Sequence, residues 1–138
     1  MPSMSTGTES TLGVALVGGG FAARLHADSY RRVHGLGVRL VGVYTRRAEA
    51  AAEFAEAHEF DAAYASLEDL LDDPQVDLVD ACVPNRIHED IAVQALRAGK
   101  HVVVEKPLTG SFEPGVDPEG WERCLKTALA SADRMIEA

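Results

Sequence analysis

The chain has 138 residues, and its 13 Lys and Arg against 22 Asp and Glu give a formal net charge of −9 at pH 7. A chain of this length builds one hydrophobic core, and an apolar fraction of 46% with a charged fraction of 25% is typical of a globular domain. No window approaches about 18 uncharged apolar residues, which excludes a membrane-spanning helix. The acidic balance argues against a general nucleic-acid surface, because phosphate binding needs a basic face.

The N-terminal segment and the cysteines bear on location and redox chemistry. Residues 1–11 carry neither the basic nor the apolar stretch of a leader peptide, so we expect a mobile tail, then one domain over residues 12–138, in a cytoplasmic protein. Cys82 and Cys124 are too few for a disulfide framework and lack the paired spacing of a zinc site. We therefore expect two small core residues and no metal site.

Short apolar runs alternate along the chain with segments of helical periodicity. The apolar runs are typical of strands buried on both faces of a sheet, and they lie at 14–17, 38–44, 77–83 and 101–104, with a weaker run at 62–64. The helical segments lie at 21–33, 47–58, 67–71 and 87–98, and a final helix is expected from about residue 119. This order predicts an α/β fold with a doubly wound parallel sheet and right-handed crossovers.

Two helices are predicted to carry an apolar face. In the helix at 87–98 this face packs on the sheet and consists of His88, Ile91, Ala92, Ala95 and Leu96. Gly99 is expected to end that helix as a left-handed C-cap. The face of the last helix consists of Trp121, Leu125, Ala128, Leu129, Ala132 and Ile136. A Gly- and Pro-rich loop over 109–120, long for a compact domain, is predicted to precede it.

The strongest local motif joins the first predicted strand to the first helix. The segment Gly18-Gly19-Gly20-Phe21-Ala22-Ala23 fits the pattern G-x-G-x-x-A. In such a turn the first glycine permits a sharp bend, the second lets the backbone approach a pyrophosphate, and the small last residue lets the helix lie close to the strand. The N–H groups at the helix start attract an anion. The motif predicts a dinucleotide site; alternatively, the glycines only form a tight turn.

The residues after the second strand bear on the choice of cofactor. An acidic side chain there would bind the ribose hydroxyls of NAD, but this sequence has Tyr44-Thr45-Arg46-Arg47. A hydroxyl and a guanidinium suit the 2′-phosphate of NADP, because charge-assisted hydrogen bonds contribute roughly 1.5 to 3 kcal/mol each. NADP is therefore favoured over NAD. Alternatively, Arg46 and Arg47 are solvated residues that begin a helix.

Polar residues also follow the third and fourth long strands, at the sheet edge where ligands bind in doubly wound folds. After the third strand come Pro84, Asn85 and His88. Their alternative roles are structural, with Asn85 as a helix N-cap and His88 as a satisfied core histidine. After the fourth strand comes Glu105-Lys106-Pro107, whose lysine could donate to a substrate hydroxyl and relay a proton. The alternative there is a surface ion pair before a turn.

Together these motifs resemble the N-terminal half of the Gfo/Idh/MocA family of oxidoreductases, over about residues 13–108. The segments that carry the resemblance are G-G-G-F-A-A followed by His26, then V-P-N-R-I-H, then A-G-K-H-V-V-V-E-K-P-L. The resemblance implies a Rossmann domain that binds NAD or NADP. It also implies hydride transfer between the nicotinamide and a hydroxyl-bearing carbon, typically in a sugar, inositol or related polyol.

The resemblance further implies a role for each motif residue. The implied cofactor-binding residues are Gly18, Gly20, Phe21 and Ala22 at the pyrophosphate, Thr45 and Arg46 at the adenosine ribose or its phosphate, Pro84, Asn85 and His88 at the nicotinamide side, and Glu105 with Lys106 in the E-K-P motif. The lysine of that motif lies between nicotinamide and substrate. Lys106 is therefore the expected catalytic residue, which orients the hydroxyl and relays its proton.

The resemblance also implies what this sequence lacks. Family members are more than twice as long, and their second domain supplies most of the substrate pocket, a sheet often used for oligomerisation and commonly a histidine acid or base. We therefore expect a cofactor domain that lacks the substrate domain, binds dinucleotide and turns over poorly alone. A sugar or polyol substrate, and homo-oligomers, are expectations for a full-length enzyme. Two alternatives stay open: part of an NAD-dependent glycoside hydrolase, and a non-catalytic nucleotide-sensing module.

Overall fold

The computed structural model describes residues 11–110 and 117–138. Its strands are β1 (Thr11–Val17), β2 (Gly37–Tyr44), β3 (Ala62–Ala63), β4 (Leu78–Ala81) and β5 (His101–Val104). Its α-helices are α1 (Phe21–Tyr30), α2 (Ala48–Ala57), α3 (Leu67–Asp72), α4 (His88–Arg97) and α5 (Pro118–Glu137), and a 3-10 turn at Asn85–Ile87 precedes α4. The predicted α/β alternation is confirmed.

The described strands form one parallel sheet in the order β3-β2-β1-β4-β5. The first strand begins one residue before the predicted domain boundary, and residues 1–10 of the expected tail lie outside the described residues. Half of the expected loop, residues 111–116, also lies outside them, and residues 118–120 of that loop already belong to α5. Among the described helices, none is both long and apolar enough to cross a membrane.

The strand order reverses between β1 and β4, and this reversal positions the candidate site. The chain runs from β1 outward through β2 and β3, then returns to place β4 on the other side of β1. The carboxyl ends of three strands are tied together there, since Gly18 N donates to Tyr44 O over 2.8 Å and Cys82 N donates to Val17 O over 2.9 Å. Chains that leave a sheet in opposite directions at such a point open a crevice between them.

The hydrophobic core lies on both faces of the sheet, which explains why the strands are nearly uninterrupted apolar runs. On one face Ala15 and Val17 of β1 pack with residues of α3 and α4, including Leu70 and Ile91. On the other face Leu16 packs with small and aromatic residues of α1 and α2, which are Ala23, Ala27, Ala51, Phe54 and Ala55. The predicted inner face of α4 is also confirmed, with His88, Ile91, Ala92 and Ala95 buried, and Gly99 takes the expected positive φ, +76°.

The apolar side predicted for α5 is largely exposed and does not form the packed side of the helix. The exposed side carries the large apolar residues, because Trp121, Leu125, Leu129 and Ile136 are 69%, 58%, 57% and 77% exposed. The side that packs toward the domain has buried Gly120 and Met135 with half-buried Cys124, Ala128 and Ser131. Small residues let α5 lie close to α4, where Arg134 pairs with Glu89. Hydrogen bonds from Arg134 and Ser131 lower the pKa of Glu89 to about 2.

The turn after β1 requires glycine at its first position. Gly18 has a φ of +111°, and a Cβ built there would lie 2.2 Å from the carbonyl oxygen of Cys82. Both the backbone conformation and the neighbouring strand therefore exclude a side chain. Gly20 differs, since its φ is −84° and a Cβ there would meet nothing within 4 Å.

We expect Gly18→Ala to lower the free energy of unfolding by at least about 2 kcal/mol, because it combines left-handed strain with a backbone clash. Gly20→Ala is the matched control and should cost less than about 1 kcal/mol at this helix N-cap. Urea unfolding followed by circular dichroism measures both values. Equal losses for the two variants would contradict the different constraints assigned to the two glycines.

Candidate dinucleotide-binding site

A cleft of about 520 Å³ opens at the carboxyl ends of β1, β2 and β4. It brings together five of the predicted site residues, which are Gly18, Gly20, Thr45, Arg46 and Pro84. A larger hollow of about 630 Å³ lies along α4 and the end of α5, and charged side chains such as Glu89 and Arg134 line it. We take the smaller cleft as the candidate site, because it lies at the strand reversal and at a helix N-terminus.

The start of α1 forms one end of the cleft. Gly20 is its N-cap, no side chain caps the helix, and the first turn carries no acidic residue. The first N–H groups of a helix have no partner within the helix, so this end offers both hydrogen-bond donors and partial positive charge to an anion. The side chain of Phe21 is 78% exposed, and Ala22 packs toward the core. These two residues could therefore act on a pyrophosphate through their backbone N–H groups.

The segment after β2 brings an arginine to the cleft. Arg46 is exposed and lines it, whereas Arg47 is exposed and N-caps α2. The hydroxyl of Thr45 donates to the carbonyl oxygen of Arg47 over 2.7 Å, which fixes this turn. Arg86, which the sequence analysis did not single out, lines the cleft as well. Its position directly after Pro84 and Asn85 was the available signal, but a basic loop residue is also common on ordinary surfaces.

The turn after β4 differs from the prediction at Asn85. The structural alternative, in which Asn85 is a helix N-cap, is wrong, because Asn85 begins a 3-10 turn and neither that turn nor α4 has a side-chain cap. Asn85 lies in a hollow of about 320 Å³ beside α5, with Thr127 and Arg134, and it does not line the candidate cleft. Pro84 and Arg86, on either side of Asn85, both line the cleft, and Arg86 also borders this hollow.

His88 is a buried core histidine whose two ring nitrogens both face backbone carbonyl oxygens. It is 1% exposed; its Nε2 lies 2.8 Å from Val83 O, and its Nδ1 lies 3.1 Å from both Pro107 O and Leu108 O. It does not line the cleft. His88 instead joins the end of β4 to the segment that follows Lys106, so it can support the site from beneath.

The E-K-P motif continues directly from β5. Val104 pairs with Ala81 in the ladder, so Glu105 and Lys106 follow at the level where β4 ends, but neither residue lines the cleft. Glu105 Oε1 lies 2.9 Å from His26 Nε2, so Glu105 contacts α1 in place of the alternative surface ion pair with Lys106. Lys106 is exposed and has no hydrogen-bond or ion-pair partner among the described residues. The Lys106–Pro107 peptide bond is cis.

A fully buried carboxylate lies beneath the glycine turn, and the sequence analysis missed it. Asp80 Oδ2 accepts from Tyr30 Oη over 2.8 Å and lies 2.8 Å from His26 Nδ1, and Cys82 Sγ lies 3.4 Å from Oδ1. Burial, followed by the negative charge of Asp80, raises the pKa of both Tyr30 and Cys82, so both groups stay protonated as donors. The available signal was an acidic residue inside a buried apolar strand, which requires partners.

His26, Asp80 and Cys82 also form a group of potential metal ligands, with their donor atoms within 4.8 Å of one another. The hydrogen bonds within the group already satisfy these atoms, so we assign no ion to it.

The cysteine prediction holds in part. Both cysteines are free, with Cys82 buried against the core and Cys124 half-buried on α5.

A parallel sheet with reversed strand order, and a G-x-G-x-x-A turn at the reversal, define a dinucleotide-binding Rossmann domain. The model of the Gfo/Idh/MocA oxidoreductase family, described as an NAD-binding Rossmann fold, matches residues 12–135. The chain belongs to this family and carries its NAD-binding domain, which confirms the resemblance drawn from the motifs.

Two of the similar proteins are named for sugar derivatives, and others are named for non-sugar substrates such as trans-1,2-dihydrobenzene-1,2-diol. Levoglucosan dehydrogenase from Pseudarthrobacter phenanthrenivorans is 36% identical in an alignment 109 residues long, which covers 74% of this chain and 28% of that protein. The 1,5-anhydro-D-fructose reductase from Ensifer adhaerens is 35% identical over 81 residues, which are 59% of this chain and 24% of that protein. A solved structure of levoglucosan dehydrogenase with NADH and levoglucosan has a TM-score of 0.69 at 32% identity and covers 72% of this chain. The chain spans 28% of that structure.

We expect Tyr30→Phe to lower the free energy of unfolding by about 1.5 to 3 kcal/mol, because it removes a hydrogen bond to a buried charged group. Tyr64→Phe is the matched control, since its hydroxyl donates over 2.6 Å to Asp73, which is only half-buried. The control should lose about 1 kcal/mol or less. Urea unfolding of both variants measures the difference, and a larger loss in Tyr64→Phe would contradict the role given to Asp80.

Proposed function

We propose that this chain is the cofactor-binding part of a dehydrogenase or reductase that acts on a sugar-like or polyol-like substrate. The observation that carries the proposal is the cleft at the strand reversal, where an uncapped helix start, two arginines and the end of β4 meet. The names of the two sugar-derivative enzymes support the substrate class. A bound nicotinamide would supply or accept the hydride.

The residues of this chain would divide the work between binding and proton handling. Gly18 and Gly20 leave room for the pyrophosphate, and the N–H groups of Phe21 and Ala22 hold it. Pro84, which lines the cleft after β4, is the proposed contact for the nicotinamide end of the cofactor. Lys106, exposed and without a described partner, is the proposed catalytic residue; its ammonium orients the reacting hydroxyl and takes up or returns its proton.

We also propose that the cofactor is NADP in preference to NAD. In support, Arg46 and Arg86 both line the cleft, and the segment directly after β2 carries no acidic side chain. Guanidinium groups bind a phosphate through charge-assisted, often bidentate hydrogen bonds. The related levoglucosan dehydrogenase structure contains NADH, so the preference proposed here distinguishes this chain from that relative.

Arg46→Asp should weaken NADPH binding roughly tenfold or more and affect NADH far less, because it replaces a phosphate donor with a repelling carboxylate. Arg47→Asp is the matched control, since Arg47 is exposed but does not line the cleft. Isothermal titration calorimetry of the three proteins with both nucleotides measures the effect. An unchanged preference in Arg46→Asp would remove the argument for NADP.

The 138-residue chain should bind the nucleotide but turn over slowly or not at all with sugars and polyols, because this domain holds the cofactor and supplies little of a substrate pocket. Absorbance of the reduced nicotinamide measures turnover, and Lys106→Met identifies any background rate that does not use the proposed lysine. Steady turnover by the isolated chain that disappears in Lys106→Met would refute the expected inactivity and support the catalytic role of Lys106.

A further inference from the structure

His26 lies between two carboxylates that belong to different parts of the fold. Its Nδ1 lies 2.8 Å from Asp80 Oδ2 on β4, and its Nε2 lies 2.9 Å from Glu105 Oε1 after β5. The other groups that face this cluster are Tyr30 of α1, which donates to Asp80, and Cys82, whose Sγ lies 3.3 Å from Nδ1. The histidine thus connects α1, which begins at the cleft, with the segment that carries Lys106.

The geometry requires both ring nitrogens to donate. An ionised carboxylate only accepts hydrogen bonds, and a neutral imidazole has one donor and one acceptor nitrogen. Only the imidazolium can therefore satisfy Asp80 and Glu105 at once. Burial lowers the pKa of His26, but the hydrogen bond and charge of Asp80, together with the charge of Glu105, outweigh it and raise the pKa above its ordinary value of 6.5.

Loss of the proton would affect the two carboxylates unequally. Asp80 is fully buried and has no route to water, so a neutral ring keeps its remaining proton on Nδ1, toward Asp80. The lone pair on Nε2 would then face Glu105, whose side chain is 27% exposed and can turn to solvent. Deprotonation of His26 therefore frees Glu105 and leaves the contact with Asp80 in place.

We propose that His26 is a positioning residue, whose imidazolium ties Glu105 to the buried Asp80 and so sets the segment that carries Lys106. When the ring loses its proton, Glu105 is released and the setting of Lys106 changes. This inference rests on the proposed function only for the role of Lys106. The link among His26, Asp80 and Glu105 is supported by the distances between their side chains.

Titration of the isotope-labelled 138-residue chain by NMR, from about pH 5 to about pH 9, tests the link. We expect the His26 imidazole to titrate above 6.5 and the backbone amide of Lys106 to shift with the same midpoint. Glu105→Gln should lower the His26 midpoint, because it removes a negative charge, and should abolish the matching shift at Lys106. Because the pKa of His26 is raised in the folded state, its contribution to the free energy of unfolding is greatest below the unfolded-state pKa. That contribution is lost as the pH rises through the folded-state pKa.

Two further variants separate positioning from a general effect of histidine. His26→Gln should abolish the titration of the Lys106 amide, while His101→Gln is the matched control and should leave it unchanged. His101 begins β5, the strand that leads to Glu105, and its side chain is exposed and has no partner among the described residues. If His26→Gln fails to fold, Glu105→Gln carries the test alone, because it changes a partly exposed side chain. A Lys106 midpoint that differs from that of His26, or persists in Glu105→Gln, would overturn the proposal.

Calorimetric titration of the same samples with NADPH tests the cofactor site separately. The NMR titration of His26 and Lys106 is recorded without nucleotide, so its outcome does not depend on cofactor binding. Absence of binding of NADPH and, in a parallel titration, of NADH at every pH would overturn the proposed function and leave the His26 link standing. Binding with no titration at Lys106 would overturn the inference about His26 alone.

Discussion

The close approach of β1 and β4 at their carboxyl ends is the constraint on which the rest of the site depends. The turn after β1 passes so near the carbonyl of Cys82 that only a glycine, in a left-handed conformation, fits at position 18. The same approach lets Cys82 N donate to Val17 O and Gly18 N donate to Tyr44 O. Three strand ends are thereby held level, and α1 begins directly above them with its N–H groups uncapped. Without this approach no cleft would open at the strand reversal.

The buried Asp80 adds a second constraint below the same turn. A carboxylate without access to water is costly unless several donors surround it. The donors here come from α1, through His26 and Tyr30, and from the end of β4 itself, through Cys82. His26 also contacts Glu105. The side chains that surround the buried charge of Asp80 therefore also hold α1, which follows the glycine turn, against the E-K-P segment. The glycine-rich motif and the E-K-P motif, which carry the proposed chemistry, are therefore joined through the side chains of His26, Asp80 and Glu105.

The features that the sequence predicted well depend on local periodicity and on backbone conformation. The strands, the order of the elements, the glycine turn and the C-cap at Gly99 each leave a signature within a short window. The failures have a different cause. Periodicity identified an apolar face on α5 but not which face packs, and small residues at Gly120, Cys124 and Ala128 decided that. The capping role of Asn85 failed because a 3-10 turn intervenes, which spacing alone does not reveal.

The contacts of Asp80 were unpredictable for a further reason, since His26 and Asp80 are 54 positions apart in the sequence. Pairs at that separation are set by the register between elements rather than by neighbouring residues.

A similar distinction between local and overall properties applies to charge. The chain has a net charge of −9, yet its candidate anion site combines a helix N-terminus with Arg46 and Arg86. Because charges more than about 8 Å apart at the surface are largely screened at physiological ionic strength, distant acidic residues weaken this site little, although Asp90 also lines the cleft. Overall acidity excludes a broad phosphate-binding surface but leaves room for one local site, and the fold places that site where α1 begins.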